Sequence, residues 1–164
     1  MEIVILRHGE AGKPVSASVR DAERPLTVSG KEEVEEVAES LEDLKLKFDL
    51  IASSPLKRSL ESAKIVAKRL KKEKSLEMWD ELKPEGDTKA LYRRLAKLRQ
   101  DACVLLVGHE PYLSSMIGEL IGARSARISL KKAGVARVEI STLTPSATGE
   151  LRWLLTPRLL KKVS

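Results

Sequence analysis

Ile3-Val4-Ile5-Leu6-Arg7-His8-Gly9-Glu10-Ala11 is a short apolar run that breaks off into polar residues at a glycine. A β-branched run of this length predicts a buried strand of a parallel sheet, and the glycine after it permits a tight turn beside a ligand. His8 then stands at the carboxyl end of the strand, the edge at which open α/β sheets bind ligands. Arg7 adds a fixed positive fork suited to a phosphoryl group. Taken alone, the stretch also fits a loop histidine beside a surface arginine, so the rest of the chain has to decide.

The pattern repeats along the chain. Gly12 to Pro25 reads as a polar loop, and Thr27 caps a helix from about Val28 to Leu44 on the stripe Val34, Val37, Ala38 and Leu41. Phe48 to Ala52 is a second strand; Ser54 as N-cap and Pro55 at the first helical position start a helix running to about Lys72. Leu76 to Leu82 predicts a third strand, Asp87 caps a helix to about Arg99, and Ala102 to Val107 is a fourth, strongly apolar strand. Gly108-His109-Glu110-Pro111 then opens a proline-started helix to Leu120 or Ile121, with Gly122 as its stop. Val135 to Ile140 and Leu151 to Leu155 read as two further strands joined by a turn over Thr144 to Gly149, and a short helix follows from Pro157. Such alternation implies a three-layer α/β/α sandwich around a mostly parallel, mixed sheet of about six strands, the last ones antiparallel.

Bulk properties bound the function. The 164 residues, 42% apolar and 33% charged, suit one soluble domain spanning residues 1–164. The single cysteine, Cys103, leaves no internal disulfide and reads as a small buried hydrophobe in a reducing compartment. Met1-Glu2 leads straight into the first strand and no apolar run approaches ~20 residues, so we expect a cytoplasmic protein without membrane contact. The net charge of +6 is spread among glutamates along helices, and five aromatics are too few for a base-stacking platform, which argues against nucleic acid.

The sheet brings three polar strand ends to one edge: Arg7-His8, Ser53-Ser54 with Arg58, and Gly108-His109. The chain has two histidines, and both follow apolar strands directly. Arg58 falls in the first turn of a helix, where unsatisfied N–H groups already favour an anion. Two arginines, two histidines and a helix terminus suit a tetrahedral dianion. A neutral imidazole is a competent nucleophile near pH 7, and a second can donate to a phosphoryl oxygen, which together point to a phosphohistidine intermediate. The sequence has no G-x-S-x-G, G-x-x-x-x-G-K-[ST] or metal-ligand spacing, so no metal or organic cofactor is expected.

On these residues the chain resembles the histidine phosphatase superfamily, whose members share the phosphoglycerate mutase-like fold; within it, it resembles the SixA-type phosphohistidine phosphatases. Leu6-Arg7-His8-Gly9-Glu10-Ala11 carries the R-H-G signature, and further matches are Arg24-Pro25-Leu26-Thr27 with Gly30, Ser53-Ser54-Pro55-Leu56 with Arg58, Leu82-Lys83-Pro84 with Gly86-Asp87, Val107-Gly108-His109-Glu110-Pro111, and Trp153 with Pro157. The resemblance implies that His8 is phosphorylated while Arg7, Arg58 and His109 hold the phosphoryl oxygens. It departs at Glu61-Ser62-Ala63, where the family often carries Gln-Thr-Ala. Larger relatives carry a proton-donating carboxylate on an insertion after the third strand; here Glu81, Glu85 and Asp87 are available, of which Asp87 is better used as a cap and Glu85 is the best candidate acid. Glu10 is a candidate for orienting Arg7 or a water.

A site without a strong acid suits a phosphoramidate, whose departing imidazole needs less protonation than an alkoxide. The short chain leaves no room for a lid, which favours a phosphorylated side chain on another protein such as a phosphotransfer domain; positive charge would assist encounter with an acidic partner. The protein is expected to act as a monomer. A phosphatase or mutase for a small phosphoester and a non-catalytic phosphate-binding module are the alternatives.

Overall fold

In the computed structural model, which describes residues 1–13 and 21–163, the first strand (β1, Glu2–Arg7) alternates strictly between two cores. Ile3 and Ile5 are buried in one apolar cluster, Val4 and Leu6 in the other. The fourth strand (β4, Cys103–Gly108) repeats this, with Val104 and Leu106 on the first face and Leu105 and Val107 on the second. Successive side chains of a strand point to opposite faces, so both strands must be covered twice. The helices α1 (Val28–Asp43), α2 (Lys57–Arg69) and α5 (Pro157–Val163) cover the second face, and α3 (Thr88–Leu95) and α4 (Tyr112–Leu120) the first. The result is the expected three-layer α/β/α sandwich.

The remaining strands are β2 (Leu50–Ser53), β3 (Leu76–Met78), β5 (Val135–Thr142) and β6 (Thr148–Leu155), and the sheet order is β3-β2-β4-β1-β5-β6. The pairs β1/β4, β2/β4 and β2/β3 are parallel, while β5 runs antiparallel to both β1 and β6. The helix that follows β1 lies on one face and the helix that follows β4 on the other. Neighbouring parallel strands whose connections leave in opposite directions open a crevice at their carboxyl ends. That crevice lies beyond Arg7 and Gly108.

Several element boundaries differ from the sequence reading. The third strand stops at Met78 and a 3-10 turn follows at Asp80–Leu82. Trp79 and Leu82 both bury in the same cluster; residues three apart share a side on a helical turn but face opposite ways on a strand. Helix α2 begins at Lys57 rather than at Pro55; the buried Ser54 accepts from Leu56 N at 3.3 Å, in the turn just before the helix. Asp87 caps α3 as expected, its Oδ1 accepting from Lys89 N at 2.8 Å and Ala90 N at 3.2 Å, but the helix ends at Leu95. Thr27 likewise caps α1, accepting from Gly30 N. Cys103 is only partly buried, packed against the second cluster from the end of β4. Of the polar loop predicted from Gly12 to Pro25, residues 14–20 lie outside the described residues.

The loop after β1 is seated directly on α1. A Cβ at Gly9 would come within 2.7 Å of both the Gly30 carbonyl and Val34 Cγ2, and one at Gly30 would run into the Glu10 carbonyl. Two glycines in register therefore let the loop backbone touch the helix. Gly30→Ala should destabilise the protein by about 1–3 kcal/mol through overpacking. Gly12→Ala, whose Cβ meets nothing within 4 Å, should stay within about 0.5 kcal/mol of the parent. Urea denaturation followed by tryptophan fluorescence compares the two; equal effects would mean that the contact carries no structural weight.

Candidate active site

Strand register brings the predicted residues together. Arg7 pairs with Gly108 across β1 and β4, and Ser53 with Val107 across β2 and β4. One residue further on, His8 N donates to Gly108 O at 3.1 Å and Ser54 N to Val107 O at 2.9 Å. The next side chains over this edge are His8, Ser54 and His109, and the two imidazole centroids lie 5.1 Å apart.

Hydrogen bonding selects a tautomer for each ring. His8 Nδ1 lies 2.7 Å from the Gly9 carbonyl, which can only accept, so Nδ1 carries the hydrogen. His8 Nε2 is left with a lone pair, and Arg58 Nε donates to it at 3.2 Å. His109 Nε2 lies 2.8 Å from Ser54 Oγ and 3.2 Å from Ser59 Oγ. Ser54 Oγ accepts from Leu56 N at 3.3 Å, and His109 Nε2 is the acceptor within reach of its own buried hydrogen among the described residues. The His109 hydrogen then sits on Nδ1, which is buried without a hydrogen-bond partner among the described residues.

Both rings are held neutral. His8 and His109 are 8% and 2% exposed. Burial, opposed by the Gly9 bond and reinforced by the charges of Arg58, Arg7 and Arg24, pushes His8 down to about 4. Burial together with the positive potential of His8, Arg58 and Arg7, partly offset by Asp21, pushes His109 down to about 3.

Arg58, in the first turn of α2, is 5% exposed and donates through Nη1 to Asp21 O at 2.8 Å and through Nη2 to Asp21 Oδ2 at 3.0 Å. Ser62 fixes the helix beneath it: its Oγ donates to Arg58 O at 2.8 Å and accepts from Gly9 N at 3.1 Å. Glu61 Oε2 accepts from Leu26 N at 2.7 Å. The departure from the family pattern at Glu61-Ser62 thus still ties α2 to the two neighbouring loops. Arg7 donates through Nη1 to Leu130 O at 2.9 Å, and its Nε is buried without a hydrogen-bond partner among the described residues.

The candidate carboxylates Glu10 and Glu85 are both exposed. Glu10 is exposed, bound by Lys132 at 3.2 Å and by Ser29 at 3.2 Å. Glu85 is exposed on the loop before α3, where the charge it acts on is that of Lys83. Glu10 lines one cavity together with Arg7, Lys131 and Lys132; beyond burial, the charges that shift His8 and His109 are those of the arginines and, for His109, of His8 and Asp21. The acid the fold brings in is Asp21, which the sequence reading left inside the polar loop. It contacts Arg58 as above and pairs through Oδ1 with Arg24 Nε at 2.8 Å. Burial works the other way, yet the bonds and charges of Arg58 and Arg24 hold its carboxyl below the usual range. Its spacing of three residues before Arg24, in the matched Arg24-Pro25-Leu26-Thr27 segment, was the available signal. Ser59, next to Arg58, was missed too, as nothing local marks its contact with His109.

The arrangement offers one unprotonated nitrogen as nucleophile, two guanidinium groups, and two buried N–H groups, on His109 Nδ1 and Arg7 Nε, that call for an acceptor. A tetrahedral oxyanion supplies such acceptors. Among the described residues no three His, Cys, Asp or Glu side chains cluster so as to hold a metal ion.

The model of the histidine phosphatase superfamily (branch 1) matches residues 3–84. The chain is 29% identical to the phosphohistidine phosphatase SixA of Escherichia coli (strain K12), over 98% of this chain and 97% of that one. It is 31% identical to an uncharacterized protein of Picosynechococcus sp., over 98% and 99%. A structure of the protein histidine phosphatase SixA complexed with tungstate superposes with a TM-score of 0.86 at 27% identity, over 98% of this chain and 99% of that one.

The folded-state values of both rings lie below the ordinary 6.5, so the stability they contribute is complete above 6.5 and is lost as the pH falls toward 4 for His8 and toward 3 for His109. Nitrogen-15 NMR of the imidazoles should show both rings still neutral at pH 5.5, with thermal stability already declining there. Rings that titrate near 6.5 would contradict this electrostatic picture.

Proposed function

Because the chain belongs to the histidine phosphatase superfamily, we propose that it removes phosphate from a histidine-phosphorylated protein, such as a phosphotransfer domain of a cytoplasmic signalling relay, by way of a phosphohistidine on His8. The observation that carries this reading is His8 Nε2: an unprotonated nitrogen held by the Gly9 bond at Nδ1, beside Arg58 and opposite a second neutral imidazole. The coarser conclusion, a phosphatase, rests on the family and on the likeness to SixA.

In the first step His8 Nε2 attacks phosphorus in line. The bond from phosphorus to the substrate nitrogen breaks as the new P–N bond forms, and the electron pair goes to the substrate imidazole, which takes a proton from water. Arg58 turns its Nε hydrogen from His8 to a phosphoryl oxygen, and the unpaired N–H groups of Arg7 and His109 take up oxygens as charge builds. In the second step water attacks phosphorus, the P–Nε2 bond breaks, His8 recovers its lone pair, and orthophosphate leaves after the water gives its proton to solvent. His109 donates as a neutral ring, through Nδ1, with Ser54 and Ser59 fixing the tautomer at Nε2.

Two features favour a phosphoramidate over an ester. Glu10 is held ionised by Lys132 and Ser29 and Asp21 by two guanidinium groups, so among the described residues neither of these carboxylates is ready to protonate an alkoxide. A departing imidazole has less need of such an acid.

Purified chain should dephosphorylate a phosphohistidine protein in the presence of chelator and leave sugar phosphates nearly untouched. His8→Ala should lose at least about a thousandfold in rate, and Arg58→Ala about a hundred- to a thousandfold in kcat/KM. Rapid quench with radiolabelled phosphoprotein should place an acid-labile label on His8. Faster turnover of a sugar phosphate would instead assign the chain to small phosphoesters, and phosphate binding unchanged in His8→Ala without turnover would make it a binding module.

A further inference from the structure

All three guanidinium nitrogens of Arg58 are engaged in the free protein: Nε donates to the nucleophilic nitrogen of His8, Nη1 to the Asp21 carbonyl and Nη2 to its carboxylate. The Nη2 bond to the Asp21 carboxylate is of the kind Arg58 would make to a phosphoryl oxygen, while Nη1 is occupied by the Asp21 main-chain carbonyl. The Asp21 carboxylate therefore contacts Arg58 as a bound anion does. We propose that Asp21 is a resident competitor of phosphate: it holds Arg58 across His8 in the free enzyme, yields when a phosphoryl group arrives, and returns to displace the product.

The two partners are not equally anchored. Arg58 has a side chain 6% exposed and sits on a helix pinned by Ser62, whereas the Asp21 side chain is 61% exposed. The turn Asp21–Glu23 that carries Asp21 contains no buried residue. Movement of Asp21 thus leaves the core untouched, and its carboxylate passes from guanidinium to water. Arg24, paired with Asp21 Oδ1 and donating to Gly12 O at 3.2 Å, keeps the turn near the site during the exchange.

Charge balance gives the exchange its purpose. Arg7, Arg24 and Arg58 acting on His8, less the carboxylate of Asp21 on two of them, leave a net +2 around two neutral rings. Phosphate entering the free site therefore has to displace a carboxylate of its own sign from Arg58. Without Asp21 the same pocket would carry +3 and hold orthophosphate too strongly for rapid release. Asp21 is accordingly a positioning residue, acting through Arg58 on how long phosphate stays.

The inference rests on the phosphatase reading, and the sign of one substitution tests it. If Asp21 only orders Arg58, Asp21→Asn weakens phosphate binding. If it competes, Asp21→Asn tightens it, because a conformation that excludes ligand raises the apparent Kd in proportion to its population. Calorimetric titration of the whole chain with inorganic phosphate at pH 7.5 should give a Kd about five- to tenfold lower in Asp21→Asn than in the parent, and in Asp21→Ser likewise. Asp21→Glu, which keeps the carboxylate, should return toward the parent value. In steady-state turnover of a phosphohistidine protein, kcat and KM should fall together in Asp21→Asn, as product release becomes limiting. An unchanged or higher Kd for phosphate in both Asp21→Asn and Asp21→Ser, with parent-like melting temperatures, would overturn the competitor role and leave the phosphatase reading intact. Failure of the parent and all variants to bind phosphate would overturn both.

Discussion

The site depends on one backbone constraint, the parallel pairing of β1 with β4. The register that sets Arg7 opposite Gly108 also sends His8 and His109 over the same sheet edge. The two histidines, 101 residues apart in sequence, end with ring centroids 5.1 Å apart. The pairing is secured from both faces by side chains that alternate along each strand, so a slip of one residue would turn both cores inside out. Helix α2 enters from the neighbouring strand β2 and brings Arg58 with it.

Burial then sets the chemistry. Two imidazoles below an apolar sheet edge, next to three guanidinium groups, cannot both be charged, and the fold resolves this by keeping them neutral. Neutrality has different consequences for the two rings. At His8 it leaves Nε2 nucleophilic, because Gly9 claims Nδ1. At His109 it leaves Nδ1 as donor, because Ser54 and Ser59 claim Nε2. The same residue type thus supplies attack and support, with the roles divided by what each ring touches behind the site.

The layer order and most element positions were legible in the sequence because alternating apolar runs and helical stripes are local signals. Thr27, Asp87 and Gly122 marked helix ends through their own chemistry. What was not legible depended on distant partners. Leu76 to Leu82 looked like a strand because its apolar content is right, yet Trp79 and Leu82 share one cluster and force a helical turn. Ser54 was read only as a cap; its hydroxyl accepts from Leu56 N, but it also meets the ring of His109, a contact that no local signal marks. The convergence of Arg7, His8, Arg58 and His109 was readable as polar residues after strands. Asp21 was not, since its contact with Arg58 spans 37 residues and requires the loop to fold back over α2.

The central claim is that the two imidazoles and the guanidinium groups of Arg7 and Arg58 enclose a single oxyanion with His8 Nε2 in line. A crystal structure of the chain with vanadate tests this most directly. The account predicts vanadium bonded to His8 Nε2, with its oxygens on Arg7, Arg58 and His109 Nδ1 and with the Arg58 Nε to His8 contact released. Vanadate bound elsewhere, or bound while Arg58 Nε still caps His8, would contradict it.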